Sequence, residues 1–180
     1  MTDIEVHGRR FEKFIDKATL DLEVSRLADQ LNARYHAVGD PPLLVGILNG
    51  SFIFMADLIR QLTFECKVQF IRIESYQGME RGGIVKMEAD VSQKWKNQHI
   101  IVIEDIIDTG NTMQRFLPVL ASHQPKSVFV CARLFKEAAL EVAVQLDAYC
   151  FNIPKDFVLG YGLDYDGLGR NLPEIYRLAE

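Results

Sequence analysis

The chain has 180 residues, of which 48% are apolar, and its formal net charge is −5. This length suits a single domain, residues 1–180, with a full hydrophobic core. A negative net charge argues against nucleic acid as a partner, because surfaces that bind its phosphates are normally basic. No run of about 18 apolar residues and no signal peptide is found, which argues against a membrane partner. The three scattered cysteines fit reduced thiols, so we expect a cytoplasmic protein.

The first half of the chain predicts helices and strands in alternation. An amphipathic helix from about Thr19 ends before the Gly-Asp-Pro-Pro breaker at residues 39–42. A buried strand is expected at residues 43–48, and it runs into Asn49-Gly50-Ser51 and a second helix. Gly50 would let the backbone approach a ligand, and Ser51 would cap the helix, although a plain tight turn fits equally well.

Residues 67–76 alternate strongly enough to predict a strand, with Val68, Phe70 and Ile71 directed inward. A glycine-bearing connection and the start of a return strand follow. This part of the chain therefore predicts an exposed β-hairpin that can swing.

The most informative stretch is residues 100–112. Its first four residues form a β-branched run typical of a strand buried on both faces of a parallel sheet. A helix is expected to start near Asn111, and the turn between carries Glu104, Asp105 and Asp108. Ligands of open α/β sheets bind beyond the carboxyl ends of strands, and helix N-termini attract anions.

The two halves of this turn favour opposite partners. Carboxylates repel phosphate at contact distance, so they favour hydroxyl groups or a metal ion. The Thr-Gly-Asn-Thr turn at residues 109–112 offers hydroxyl and N–H donors to an anion, and Gly110 permits close approach. A ribose 5-phosphate satisfies both halves. The alternative is that Asp108 or Thr109 merely caps the helix.

Further polar residues follow the later strands. A strand at residues 127–134 ends beside Lys136, and residues 137–146 fit helix or strand equally well. A short strand at residues 149–153 leads into a closing stretch, residues 154–173, that contains an aromatic residue at Phe157, a cluster of Gly and Asp, and one arginine. From composition, this stretch is a loop.

The segment Ile-Val-Ile-Glu-Asp-Ile-Ile-Asp-Thr-Gly-Asn-Thr-Met, residues 101–113, resembles the phosphoribosyl pyrophosphate signature of type I phosphoribosyltransferases. Its form is that of hypoxanthine-guanine phosphoribosyltransferases, and Lys136 with the closing stretch extends the match. The resemblance implies an α/β fold with a central parallel sheet flanked by helices, a flexible β-hairpin flap and a small hood from the terminal segments. It also implies homodimers or homotetramers and transfer of a phosphoribosyl group to a 6-oxopurine base (hypoxanthine, guanine or xanthine).

The resemblance implies roles for the sugar, phosphate and metal residues. Glu104 and Asp105 would bind the ribose hydroxyls, directly or through magnesium, and Asp164 would also bind magnesium. The 5-phosphate would be held by Thr109, Gly110, Asn111 and Thr112, and the pyrophosphate by Asn49, Gly50 and Arg170. Many family members carry a basic residue where Asn49 stands.

Base recognition and catalysis are implied in the same way. Asp108 would be the general base for a ring nitrogen of the purine, and Lys136 would donate to the 6-oxo oxygen. Phe157 would stack on the base while the Val158 backbone reads its edge. Ser75 and Tyr76, on the flap, would cover the reacting centre.

Two other classes of protein fit parts of the pattern. A phosphoribosyltransferase-like regulator that binds RNA would need a basic face, for which Trp95 between two lysines is weak support. A phosphate-accepting signalling domain would use Glu104 and Asp105 as an acidic pocket. That reading leaves the Thr-Gly-Asn-Thr turn and the closing stretch without a purpose.

Overall fold

The computed structural model describes residues 3–73 and 95–179. The strands are β1 (Ile4–Val6), β2 (Arg9–Ile15), β3 (Leu43–Leu48), β4 (Lys67–Arg72), β5 (His99–Ile107), β6 (Ser127–Phe135), β7 (Ala148–Asn152), β8 (Val158–Leu159) and β9 (Ile175–Leu178). The helices are α1 (Lys17–Tyr35), α2 (Phe52–Ile59) and α3 (Asn111–Ser122).

A five-stranded parallel sheet in the order β4-β3-β5-β6-β7 forms the centre of the fold. Its middle strands are runs of apolar and β-branched residues because both faces are covered by other parts of the chain. The order places β4 on one side of β3 and β5 on the other, so the direction of winding changes between β3 and β5. Ligands of open parallel sheets bind at such a point. The predicted central sheet is confirmed.

Helices cover the two faces of this sheet. The apolar sides of α1 and α2 pack on one face, and α3 packs on the other together with the buried Trp95. The predicted starts of α2 and α3 are confirmed, and α1 begins two residues before the expected Thr19. Asp16 caps α1 by accepting a hydrogen bond from the Thr19 N–H at 2.8 Å.

A smaller antiparallel sheet in the order β1-β2-β9-β8 joins the two ends of the chain. Phe11, Leu159 and Tyr176 form its buried centre. This sheet is the predicted hood from the terminal segments. The loop from β8 to β9 brings residues 160–173 back over the carboxyl edge of the parallel sheet, where Gly162 packs against the Gly50 backbone.

Three expectations about local structure are wrong. Val68 and Phe70 are 45% and 42% exposed, whereas Ile71 is buried, because β4 is an edge strand with one face covered. Residues 137–146 form neither helix nor strand beyond a 3-10 turn at Glu137–Ala139. Ser51 is the N-cap residue of α2, but its hydroxyl donates to the Ile47 carbonyl at 2.5 Å and makes no capping hydrogen bond.

The predicted flap falls outside the described residues, and with it Ser75 and Tyr76. None of the helices in the described ranges is both long and apolar enough to cross a membrane.

Candidate active site

A cavity of about 360 Å³ opens at the carboxyl ends of β3 and β5. The two strands pair only as far as Gly46 and Ile103, whereas β5 continues beside β6 to Ile107. The last residues of β5 therefore lack a neighbour on the β3 side, which creates the crevice. Ten of the predicted site residues line it: Asn49, Gly50, Glu104, Asp105, Asp108, Thr109, Gly110, Thr112, Asp164 and Arg170.

Glu104 and Asp105 lie within β5 and not in the turn after it, as the sequence had suggested. Both side chains are largely buried, and Glu104 Oε2 has no hydrogen-bond partner among the described residues. Burial raises the pKa of the Glu104 carboxyl well above its usual range, and the adjacent Asp105 carboxylate raises it further. The pair is thus a buried acidic site with an acceptor oxygen left free.

The first turn of α3 follows directly. Gly110 is the N-cap, with φ of +86°, and it has no side chain to cap the helix; the Thr109 hydroxyl accepts from the Asn111 N–H at a long 3.5 Å. A Cβ at Gly110 would lie 2.5 Å from a Val144 methyl group. Both this close contact and the positive φ angle favour glycine at this position. Asn111 Nδ2 donates to Glu141 at 2.9 Å and to Thr109 at 3.0 Å, and Asn111 does not line the cavity. The uncapped turn presents N–H donors to an anion.

The β3–α2 turn lies against the acidic pair. A Cβ on Gly50 would be 1.4 Å from Asp105 Oδ2, so a side chain at this position is excluded by the carboxylate. The Leu48–Asn49 peptide is cis. These contacts place the Asn49–Gly50 backbone along one wall of the cavity.

Asp164 and Arg170, on the closing loop, also line the cavity. They form an ion pair at 2.6 Å, and Arg170 also donates to the Gly162 carbonyl at 2.7 Å. Asp164 additionally accepts a hydrogen bond from the Gly167 N–H at 2.8 Å. Glu104, Asp105 and Asp164 line the same cavity, yet within the described ranges no group of three acidic, His or Cys side chains is close enough to hold a metal ion.

Lys136 lies just beyond β6, and its Nζ donates to Asp108 Oδ2 at 2.8 Å. The lysine side chain is 7% exposed, whereas that of Asp108 is 49% exposed. A cationic donor and an anionic acceptor therefore stand side by side at the edge of the cavity, with the carboxylate facing outward. A ligand with an acceptor next to an N–H group could bond to both.

Phe157 and Val158 lie farther out, at the start of the hood. The Phe157 side chain is 45% exposed, and its ring packs edge-on against Tyr165 at a centroid distance of 5.4 Å. The Val158 side chain is buried in β8, which leaves its backbone as the part that could meet a ligand. Lys136, Phe157 and Val158 do not line the cavity itself.

Arg133 is a residue of this region that the sequence did not reveal. It is fully buried on β6 and donates through Nη1 to the Tyr161 carbonyl, with its guanidinium carbon 5.1 Å from the centre of the Tyr161 ring. Burial lowers the pKa of this guanidinium, and the nearby Asp105 carboxylate opposes that effect. The one available signal was a charged residue inside an otherwise apolar strand.

Trp95, from the RNA-binding alternative, and two of the cysteines have buried side chains. Trp95 is fully buried, and its Nε1 donates to Gln69 at 2.9 Å, so it cannot stack on a base at the surface. Cys131 is also fully buried, and burial raises the pKa of its thiol. Burial likewise raises the pKa of Cys150, to about 12.

A crevice at the switch point of a parallel sheet, with carboxylates beside an uncapped helix N-terminus, is typical of α/β proteins that bind sugar phosphates. Comparison with known families agrees with that class, since the model described as phosphoribosyl transferase domain matches residues 16–166. The chain belongs to the phosphoribosyltransferase family.

Individual relatives cover nearly the whole chain. The hypoxanthine phosphoribosyltransferase of Escherichia coli (strain K12) is 38% identical over 165 residues, which are 91% of this chain and 93% of that protein. The hypoxanthine-guanine phosphoribosyltransferase of Aquifex aeolicus (strain VF5) is 32% identical over 177 residues, with 98% and 99% covered. A solved hypoxanthine-guanine phosphoribosyltransferase from Bacillus anthracis superposes with a TM-score of 0.85 at 32% identity, covering 93% of this chain and 98% of that one.

Proposed function

We propose that this protein transfers the 5-phosphoribosyl group of phosphoribosyl pyrophosphate to hypoxanthine, and also to guanine or xanthine, in purine salvage. The products are the nucleoside monophosphate (IMP or GMP) and pyrophosphate. The observation that carries the proposal is the pairing of Lys136 with Asp108 at 2.8 Å, beside the crevice. The relatives described above are hypoxanthine and hypoxanthine-guanine phosphoribosyltransferases, which supports the same base.

Base selection follows from the chemistry of this pair. A 6-oxopurine presents a carbonyl oxygen beside a ring N–H, so Lys136 would donate to the oxygen while Asp108 accepts from the nitrogen. Adenine has an amino donor in place of the oxygen and would leave the lysine facing another donor. Phe157 would stack on the base, and the Val158 backbone would contact its edge.

The sugar and phosphate would occupy the crevice. The 5-phosphate fits the uncapped first turn of α3, where the backbone and the side chains of Thr109 and Thr112 supply donors. The pyrophosphate would lie beside Arg170 and the Asn49–Gly50 turn, which both line the cavity. Asn111, which bonds to Thr109, would support the phosphate turn from behind.

Magnesium fits the acidic wall of the crevice. Glu104 Oε2 is a buried acceptor without a partner among the described residues, and hard oxygen ligands are those that Mg²⁺ prefers. Magnesium is usually bound by one or two carboxylates plus substrate oxygens, so a cluster of three protein ligands is not required. Glu104 and Asp105 would bind magnesium together with substrate oxygens, and Asp164 would bind a magnesium ion separately from them. When bound, magnesium would neutralise charge on the pyrophosphate.

The chain's own residues account for the remaining chemistry. As the bond between the sugar C1′ and the pyrophosphate oxygen breaks, the oxygen keeps the electron pair, and the purine N9 forms the new bond to C1′. Asp108 would take the proton lost from the purine ring. The negative charges of Glu104 and Asp105 would favour the positive charge that develops on the sugar. Ser75 and Tyr76 remain predicted parts of a cover over this centre.

We also infer self-association and a cytoplasmic location. Phe52, Val68 and Phe70 are large exposed apolar side chains on α2 and the edge strand β4, and such surfaces favour protein contacts. Light scattering would show a dimer or a tetramer if these surfaces meet. The three free cysteines fit a reducing compartment.

The test of the proposed function is nucleotide formation with phosphoribosyl pyrophosphate and magnesium, with hypoxanthine, guanine, xanthine, adenine and uracil offered separately. We expect product from the 6-oxopurines and none from adenine or uracil. Product from uracil alone, or from no base, would overturn the proposal while leaving the family assignment intact.

A further inference from the structure

The charges around the crevice do not match a substrate that carries a pyrophosphate. Among the described residues, four carboxylates line the cavity, Glu104, Asp105, Asp108 and Asp164, against one cationic side chain, Arg170. Arg170 is already paired with Asp164 at 2.6 Å. A bound magnesium ion would offset part of this negative charge, and a further cation beside Asn49 and Gly50 would also favour the pyrophosphate.

Arg72 is a cation that hydrogen-bonds to a residue of the cavity lining. It is the last residue of β4, in register with Leu48 of β3, and its Nη2 donates to Asn49 Oδ1 at 3.2 Å. Asn49, which accepts this hydrogen bond, lines the cavity, and so does Ile73, the next residue in the chain after Arg72. The Arg72 side chain is exposed and makes no salt bridge among the described residues.

We propose that Arg72 is a pyrophosphate-binding residue, held at the mouth of the crevice by its hydrogen bond to Asn49. This inference rests on the proposed function, because it assigns a further ligand to the same substrate. The neutral Asn49 amide orients the guanidinium without cancelling its charge. A guanidinium group can donate two hydrogen bonds to one phosphate group, and this pair is stronger than a single hydrogen bond to an amide. When pyrophosphate binds, Arg72 would therefore replace its hydrogen bond to Asn49 with bonds to the phosphate oxygens.

The position of Arg72 allows its side chain to be substituted at little cost to the fold. It lies at the end of an edge strand on the face that carries the exposed Val68 and Phe70, so its side chain is not needed to fill the core. Removing its charge should therefore leave the fold unchanged. This makes the proposal testable by substitution.

The experiment compares Arg72→Gln with Arg115→Gln, a matched loss of charge at an exposed position of α3. Pyrophosphate binding is measured by calorimetry with magnesium present, and KM for phosphoribosyl pyrophosphate by steady-state kinetics. We expect Arg72→Gln to weaken pyrophosphate binding and raise this KM about tenfold. KM for hypoxanthine and the melting temperature should stay the same, and Arg115→Gln should match the wild type.

Rescue variants separate a charge effect from a loss of loop geometry. Arg72→Lys should recover part of the affinity, and Asn49→Arg in the Arg72→Gln background should recover it by moving the cation one strand over. Pyrophosphate affinity within twofold of the Arg115→Gln control would overturn the proposal. If the wild type forms no nucleotide from any base, the calorimetric comparison still decides the role of Arg72, so the two proposals fail separately.

Discussion

The sugar-phosphate and base halves of the candidate site are built in different ways. The crevice takes most of its lining from one continuous stretch, residues 104–113, with smaller contributions from the Asn49–Gly50 turn and the closing loop. The base half combines Lys136 after β6, Phe157 before β8 and Asp108 after β5. Local sequence therefore specifies the first half, whereas the second exists only when three distant segments meet.

Asp108 belongs to both halves, since it lines the crevice and pairs with Lys136. Substitutions on the two sides of Asp108 should accordingly change different kinetic constants. Among the following variants, those of Lys136 and Gly50 are each chosen to affect one half and spare the other.

The largest effect is expected for Asp108→Asn. The amide keeps the shape but cannot accept the purine proton, so kcat should fall about 10²- to 10⁴-fold. KM for phosphoribosyl pyrophosphate should change little, because the phosphate turn is untouched. Steady-state kinetics with hypoxanthine measures both constants. An unchanged kcat would remove Asp108 from the role of general base.

Next is Lys136→Met, which keeps much of the buried volume and removes the donor to the 6-oxo oxygen. The preference for hypoxanthine over adenine in kcat/KM should fall about 10- to 100-fold. Lys126→Met is the control, because Lys126 pairs with Asp40 at 3.1 Å on the exposed surface. Base preference equal to that of the control would place base discrimination elsewhere.

Gly50→Ala is expected to damage the sugar-phosphate half alone. The new methyl group would overlap Asp105 Oδ2, so the turn must shift, at a cost of about 1–3 kcal/mol in the free energy of unfolding. KM for phosphoribosyl pyrophosphate should rise while base preference stays the same. Gly39→Ala is the control, since a Cβ there meets nothing within 4 Å. A variant as stable and active as this control would show that Gly50 does not shape the crevice.

The smallest effect, and one of opposite sign, is expected for Glu104→Gln. Because burial raises the pKa of Glu104, the folded protein holds this proton more tightly than the unfolded chain does. The wild type therefore loses stability as pH rises from the unfolded to the folded pKa of Glu104. Above that range, the free energy of unfolding of Glu104→Gln should be about 1 kcal/mol higher than that of the wild type.

Thermal unfolding between pH 4 and pH 8 tests this sign. The advantage of Glu104→Gln should shrink toward acid pH, where the wild-type carboxyl is protonated in both states. Exposed Glu65→Gln should show no such trend. A variant less stable than the wild type at neutral pH would mean that the Glu104 carboxylate has a partner that offsets its burial.

Local patterns predicted much of the fold correctly. The apolar run at residues 43–48 is β3 with the same bounds, and the apolar spacing after Asn111 is α3. Edge-strand exposure was predicted wrongly for Val68 and Phe70, because a strand's own alternation does not say which face another element covers. The predicted end of β5 was also too early. The strand continues through Glu104 because β6 pairs with it there, and the sequence cannot show that pairing.

Residues whose role depends on distant partners were the ones the sequence left open. The type of chemistry followed from a short stretch, since carboxylates, glycine and hydroxyls a few residues apart must share one strand end and one helix start. The 2.8 Å pairing of Lys136 with Asp108, the burial of Arg133 beneath Tyr161 and the contact of Arg72 with Asn49 did not follow. Each joins residues 23 to 28 positions apart, on elements whose proximity is set by the packing of the sheet and its loops.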